Sequence, residues 1–282
     1  MEEILLAPFA LAFMRRALVG CLVLSVAGPP LGVFLVLRRM SLMSDVLQHG
    51  VLPGIAVGAM AAGLSIWAMG AGGVIAGILI AVLAGFLSRR TGGREDSQLA
   101  GVYLLALAAG VALVSMQRGV DLTHLLFGSV LAVDDAALIG MASVASVTLI
   151  LLAVIWRPLI LESLDPGFMA ATGGRGGLWH LTFLSLVVLC VVSGFVALGT
   201  LMSVGLMMLP AIAARHWSNS LSGQILASIL VGLVSSVVGL LLAFHLDLPA
   251  GPAVVLTAGG IWLLSLGFGP RTSLLHPASG LM

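Results

Sequence analysis

The sequence contains no lysine; all twelve of its basic side chains are arginine. That excludes chemistry built on a lysine ammonium, including the phosphate-binding lysine of a P-loop and Schiff-base catalysis. Cysteine is nearly absent as well. Cys21 and Cys190 each sit inside an apolar run, where they read as small apolar filler, and they offer neither a disulfide framework nor a metal-type spacing. The largest deficit is charge: 8% of the 282 residues are charged, against roughly 25% in soluble domains. Such a chain cannot cover a globular surface with polar groups, which excludes a soluble enzyme. A formal net charge of +1 leaves no footprint for nucleic acid.

Apolar residues fill the space that charge vacates, at 60% of the chain and a mean hydropathy of +1.22. A helix crossing a hydrocarbon core of about 30 Å needs roughly 20 such residues, so the stretches between ionisable groups map the spans. Residues 17–37 make one. Residues 46–88, with His49 as their only titratable group, make two, parted near Gly70 to Gly73. Residues 97–117 and 136–156 add one each, residues 176–214 two, broken around Gly199, and residues 216–246 and 248–270 the last two. The expectation is an all-α polytopic membrane protein with about nine (8–10) transmembrane helices, forming a single transmembrane domain over residues 1–282.

Arginine enrichment marks cytoplasmic loops. With nine spans threaded in order, Arg38, Arg39, Arg89, Arg90, Arg94, Arg157, Arg175, Arg215 and Arg271 share one side, and Arg15, Arg16 and Arg118 fall on the other. Residues 157–179 and the tail 271–282 are thus expected in the cytoplasm and the N-terminus outside. Residues 1–16 read as an interfacial segment, because a signal peptide carries its positive charges before its apolar stretch and here they follow it. Glycine is plentiful, at 36 residues, and Gly54 with Gly58 and Gly73 with Gly77 fit the small-xxx-small pattern of close helix packing.

Most acidic residues lie in loops or at span ends, but Asp45 opens the long uncharged stretch. His49 follows at i+4, so in a helix the two share a face. A carboxylate at bilayer depth costs about 2.5–3.5 kcal/mol even on mild insertion scales and calls for a partner. The pair reads either as half of a divalent-cation site or as a helix-end aspartate with a hydrogen-bonded histidine. Asp121 with His124, and His245 with Asp247, are weaker candidates at the outward face, as solvated loop polars or as ion-access and partner-docking groups. His180, His216 and His276 fall at cytoplasmic edges and receive no role. In the 157–179 loop, Asp165 can cap a two-turn helix with Pro166 at its first position and Gly173 or Gly174 at its end. Phe168 and Met169 would then be exposed, to fit a groove in a partner or to lie on the bilayer.

Several segments carry a resemblance. They are Arg38-Arg39-Met40-Ser41 followed by Asp45-x-x-x-His49, the loop 164–173, the stretch 199–215 with 246–252, and residues 126–133. Together they resemble the membrane subunits of the bacterial zinc/manganese/iron ABC importers (the ABC-3 type) over roughly residues 13–270. That resemblance implies an ABC importer permease fold similar to the vitamin B12/siderophore importer type, in the bacterial cytoplasmic (inner) membrane. It implies a homodimer with its pathway along the twofold axis, two cytoplasmic ATP-binding subunits and an extracytoplasmic metal-binding protein. Asp165, Pro166, Phe168, Met169 and Gly173 would belong to the coupling loop, and Asp45 and His49 to the metal path. Gln48 and Gly50 depart from the Ser and Ala often found in the family. No permanently bound cofactor is implied, only a transported Zn, Mn or Fe ion, which oxygen and nitrogen donors without thiolate accept. The chain itself would not be an enzyme, and a lysine-free sequence agrees with ATP hydrolysis in a separate subunit. The alternative is an ATP-independent secondary transporter or channel in which Asp45 and His49 relay protons.

Overall fold

The computed structural model describes residues 8–41, 43–63, 65–91, 95–116, 133–171 and 173–271. In chain order its helices are α1 (Ala12–Leu37), α2 (Met43–Gly50), α3 (Leu52–Ala62), α4 (Ile66–Thr91), α5 (Glu95–Met116), α6 (Asp135–Val154), α7 (Trp156–Leu164), α8 (Pro166–Ala171), α9 (Gly176–Leu198), α10 (Thr200–Ala214), α11 (Leu221–His245) and α12 (Ala250–Phe268). No strand occurs among the described residues. Backbone polar groups in hydrocarbon must be satisfied within the segment, which is why a chain so poor in charge resolves into helices.

Seven helices among the described residues are long and apolar enough to cross a membrane: α1, α4, α5, α6, α9, α11 and α12. The expected nine positions are all occupied in order, but two differ in kind. The second is divided at Val51 into α2 and α3. The seventh, α10, has fifteen residues and reaches only about 22 Å. Gly199, with φ +93°, ends α9 and begins α10 where the sequence expected a break.

The other expected break is displaced. α3 ends at Gly63, whose φ of +69° suits a residue without Cβ, and Gly70 to Gly73 lie inside α4. Gly72 and Gly73 serve packing instead. A Cβ on Gly54 would collide with the Gly72 carbonyl oxygen, and one on Gly72 with the Gly54 carbonyl oxygen. The small residues thus close an α3–α4 hairpin.

α1 and α9 are the most enclosed of the seven long helices. Phe34 and Leu35 of α1, Phe183 and Val187 of α9, and Leu206 and Met207 of α10 are all buried. The Phe34 ring meets Trp156 edge-on at 5.6 Å and Phe183 at 6.1 Å. Large apolar side chains such as Leu105, Ile139, Ile150, Leu256 and Leu264 face outward, as a hydrocarbon solvent permits and water does not.

Polar contacts label the two ends of the bundle. At one end Arg16 meets Asp135, Nε to Oδ1 at 3.0 Å, tying the start of α1 to the start of α6. α1 begins at Ala12, so Arg15 and Arg16 belong to the first span rather than to a segment before it. At the other end Arg38 joins α7 and α9. This arrangement agrees with the threading that put Arg16 on the side of Asp135 and Arg38 on the side of residues 157–179.

Candidate functional site

α2 is short because Arg39, with φ +59°, breaks the chain after α1, and an interruption at Val51, just ahead of Pro53, divides it from α3. Half of its eight residues are polar: Ser44, Asp45, Gln48 and His49. Asp45 lies in the first turn, where a helix dipole favours an anion, and His49 in the last. The i,i+4 spacing brings Asp45 Oδ1 to 3.6 Å from His49 Nε2. Side-chain exposure is 56% for Asp45 and 31% for His49, so the carboxylate opens onto the surface of the chain while the imidazole is half-buried behind it.

Tyr103, the only tyrosine of the sequence, approaches from α5 with its ring centroid 6.4 Å from that of His49. The two rings line a cavity of about 220 Å³ whose other walls, Leu52, Leu107, Gly110, Val111 and Val114, are apolar. Gly110 lets α5 lie against α3, since a Cβ there would stand 2.9 Å from Leu52 Cβ and 2.9 Å from Pro53 N. Sequence reasoning passed over Tyr103; the signal available was one phenol in an otherwise apolar span. The arrangement presents one carboxylate oxygen pair and one imidazole nitrogen in surroundings of few polar groups. Charges there interact more strongly than in water.

The next stripe of α2 points inward. Ser44 and Gln48 are buried, and Ser44 Oγ and Gln48 Oε1 have no hydrogen-bond partner.

The weaker candidates do not join this group. His245 and Asp247 are exposed in the turn between α11 and α12, with Asp247 at φ +52° and His245 edge-on to Phe244 at 5.5 Å. Asp121 and His124 lie outside the described residues, as does most of the 126–133 stretch. Among the described residues no three His, Cys, Asp or Glu side chains gather in one place.

The 157–179 segment forms its capped helix. Asp165 Oδ1 accepts from Phe168 N at 2.8 Å, α8 starts at Pro166, and Gly173, with φ +73°, follows its end. Gly174 N donates back to the Met169 carbonyl at 2.9 Å, closing the turn. Phe168 is exposed as expected, at 53%. Met169 is not. It is buried because its sulfur folds over Gly174, where a Cβ would collide with it, so α8 presents one apolar anchor and spends the other on its own turn.

Arg38 caps the C-terminal end of α1 just ahead of α2. Its Nε donates to Ser163 Oγ of α7 at 2.9 Å, its Nη1 donates to His180 Nδ1 of α9 at 2.8 Å, and its guanidinium lies 4.8 Å from the centroid of Phe183. His180, which had no role by sequence, accepts here through Nδ1. The end of α1, just ahead of α2, is thereby tied to α7 and α9 through one side chain.

Comparison with known proteins covers most of the chain. The profile of the ABC 3 transport family matches residues 10–269. The manganese import system permease protein ScaB of Streptococcus parasanguinis is 30% identical over 260 residues, 92% of this chain and 91% of its own. The chelated iron transport system membrane protein YfeD of Yersinia pestis is 30% identical over 92% of this chain and 86% of its own length. Among solved structures, PsaBC from Streptococcus pneumoniae in complex with Fab superposes with a TM-score of 0.83 at 29% identity, covering 95% of this chain and 96% of that one. An ABC transporter in an inward-facing conformation shares the fold at a TM-score of 0.65 and 19% identity, over 89% of this chain and 84% of that one.

Proposed function

The chain belongs to the ABC 3 transport family, and from that premise we propose that it forms the membrane pathway of an ATP-driven importer of a divalent transition metal, with manganese and iron ahead of zinc. The observation that carries the metal reading is the Asp45–His49 pair, 3.6 Å apart on one face of α2 with the carboxylate open to the chain's surface. Aspartate oxygen and neutral imidazole suit Mn²⁺, Fe²⁺ and Zn²⁺ alike. The relatives named for manganese and iron set the order.

Two donors are too few for an ion that takes four to six ligands. Homodimerisation supplies the rest: a second copy across a twofold axis would face the exposed Asp45 with another Asp45 and His49. Each carboxylate offsets part of the ion's charge and each imidazole must be unprotonated to bind, so loading releases any proton that His49 carries. A ligand set shared between two protomers parts when they move, which suits release. ATP-binding subunits would dock at α8, with Phe168 as the apolar anchor and Asp165, Pro166 and Gly173 shaping the helix. An extracytoplasmic metal-binding protein would deliver cargo at the opposite end, where His245 and Asp247 are exposed. The chain would then hydrolyse nothing itself. The ATP-independent transporter or channel is not favoured, because the relatives are named as parts of import and transport systems.

The experiment is uptake of radioactive manganese into vesicles holding this chain with its ATP-binding subunit and delivery protein. ATP-dependent accumulation, competed by iron(II), is the expected result. Uptake by the chain alone, driven by a proton gradient without ATP, would contradict the proposal.

A further inference from the structure

We propose that Ser44 and Gln48 form a second, oxygen-donor station for the divalent cation on the buried stripe of α2. The inference rests on the reading that Asp45 and His49 handle the ion, and extends it to the neighbouring face of the same helix.

Ser44 and Gln48 are one turn apart, as Asp45 and His49 are, and the two stripes stand about 100° from one another around the helix. Ser44 is 0% and Gln48 2% exposed, yet the hydroxyl oxygen of one and the amide oxygen of the other accept and donate nothing. Leaving a buried polar group unmade costs about 1–3 kcal/mol, and an apolar side chain of similar shape avoids that cost. Apart from Thr148, the other buried hydroxyls among the described residues are satisfied. Ser25 and Ser236 pair at 2.9 Å, and Ser203 donates to the Val191 carbonyl at 2.9 Å. Thr148 on α6 shares the unpaired state but stands alone. Two orphan oxygens on adjacent turns beside the cation pair are a different case, since a concentrated cost of this kind marks a place where structure is held for a ligand.

The ligand chemistry follows from the donors. A hydroxyl and an amide oxygen, without a carboxylate, bind a hard divalent cation or its hydration water weakly. Oxygen-only donors suit Mn²⁺ and withhold the added affinity that Zn²⁺ gains from nitrogen. Weak binding is what a passing ion requires. The backbone supplies the means of reaching it: the left-handed Arg39 before α2 is a joint that can absorb a change of dihedral angle. A turn of α2 by about one residue's rotation would carry the inner stripe to where the outer one stands.

The test uses the complete importer carrying Gln48→Met, Ser44→Ala or Asp45→Asn, with manganese and zinc uptake and thermal melting measured on each. The expected result is that Gln48→Met and Ser44→Ala melt at or above the unmodified temperature. Their manganese uptake would fall at least fivefold in Vmax or rise fivefold in KM, and zinc uptake would change less. Unchanged uptake in both, or uptake and melting temperature falling together, would overturn the station. If Asp45→Asn kills uptake in that case, only the station is lost; if Asp45→Asn transports normally, the reading beneath it fails as well.

Discussion

Replacing Arg38 with glutamine removes three contacts at once, and the structure sets the scale of the loss. The guanidinium donates to Ser163 Oγ at 2.9 Å and to His180 Nδ1 at 2.8 Å, and lies 4.8 Å from the Phe183 ring centroid. A hydrogen bond to a charged group contributes about 1.5–3 kcal/mol, and a cation–π contact about 0.5–2 kcal/mol. The three share one partly exposed side chain, so their sum overstates the effect, and a destabilisation of about 2–4 kcal/mol is expected for Arg38→Gln. Ser163→Ala removes one contact and should cost about 1–2 kcal/mol. A double-mutant cycle between them, read by unfolding of the purified chain, should return a coupling of about 1–2 kcal/mol. Because Ser163 lies on α7, next to α8, and Arg38 lies just ahead of α2, the same variant should raise the ATP hydrolysed per ion imported. Strict additivity in the cycle together with an unchanged ATP-to-ion ratio would refute the idea that this side chain couples the α7–α8 segment to the chain entering α2.

Two other regions give sharp comparisons. Gly54→Ala drives a methyl group into the Gly72 carbonyl, and overpacking of this kind should cost about 1–3 kcal/mol. At Gly70 a Cβ meets no atom within 4 Å, so Gly70→Ala should leave the melting temperature unchanged or raise it. Equal melting of the two variants would contradict the α3–α4 contact. In α8, Phe168→Ala should shift stability by less than about 0.5 kcal/mol and lower co-purification of the ATP-binding subunit. Met169→Ala, at a buried position, should destabilise by about 2–3 kcal/mol. Full retention of the subunit by Phe168→Ala would count against α8 as the docking element.

Span positions were legible wherever hydrophobicity alone decides them. The stretch 97–117 became Glu95–Met116 and 136–156 became Asp135–Val154, because ionisable residues bound the apolar part of a helix that hydrocarbon can hold. Glycine was readable in one case and misleading in another. Gly199 breaks the chain, whereas Gly70 to Gly73 continue a helix, and only the partner helix with Gly54 tells the two uses apart. The Asp165 cap was visible because it is local, four residues bonding one another. Met169 was misassigned because its burial depends on how the chain turns at Gly174. Asp45 and His49 could be paired from spacing, since a helix repeats its faces at fixed intervals. Tyr103 beside His49 and His180 beside Arg38 could not, as each contact joins elements whose crossing no local pattern encodes.

The most direct measurement is manganese uptake by the complete importer with Asp45→Asn or His49→Gln, each checked for assembly with the ATP-binding subunit. Both changes preserve side-chain size while removing the anionic oxygen or the ring nitrogen that a cation would bind. A metal path through this pair predicts assembled, ATP-hydrolysing complexes whose uptake falls at least tenfold in each variant. Uptake at the unmodified rate in both would contradict it.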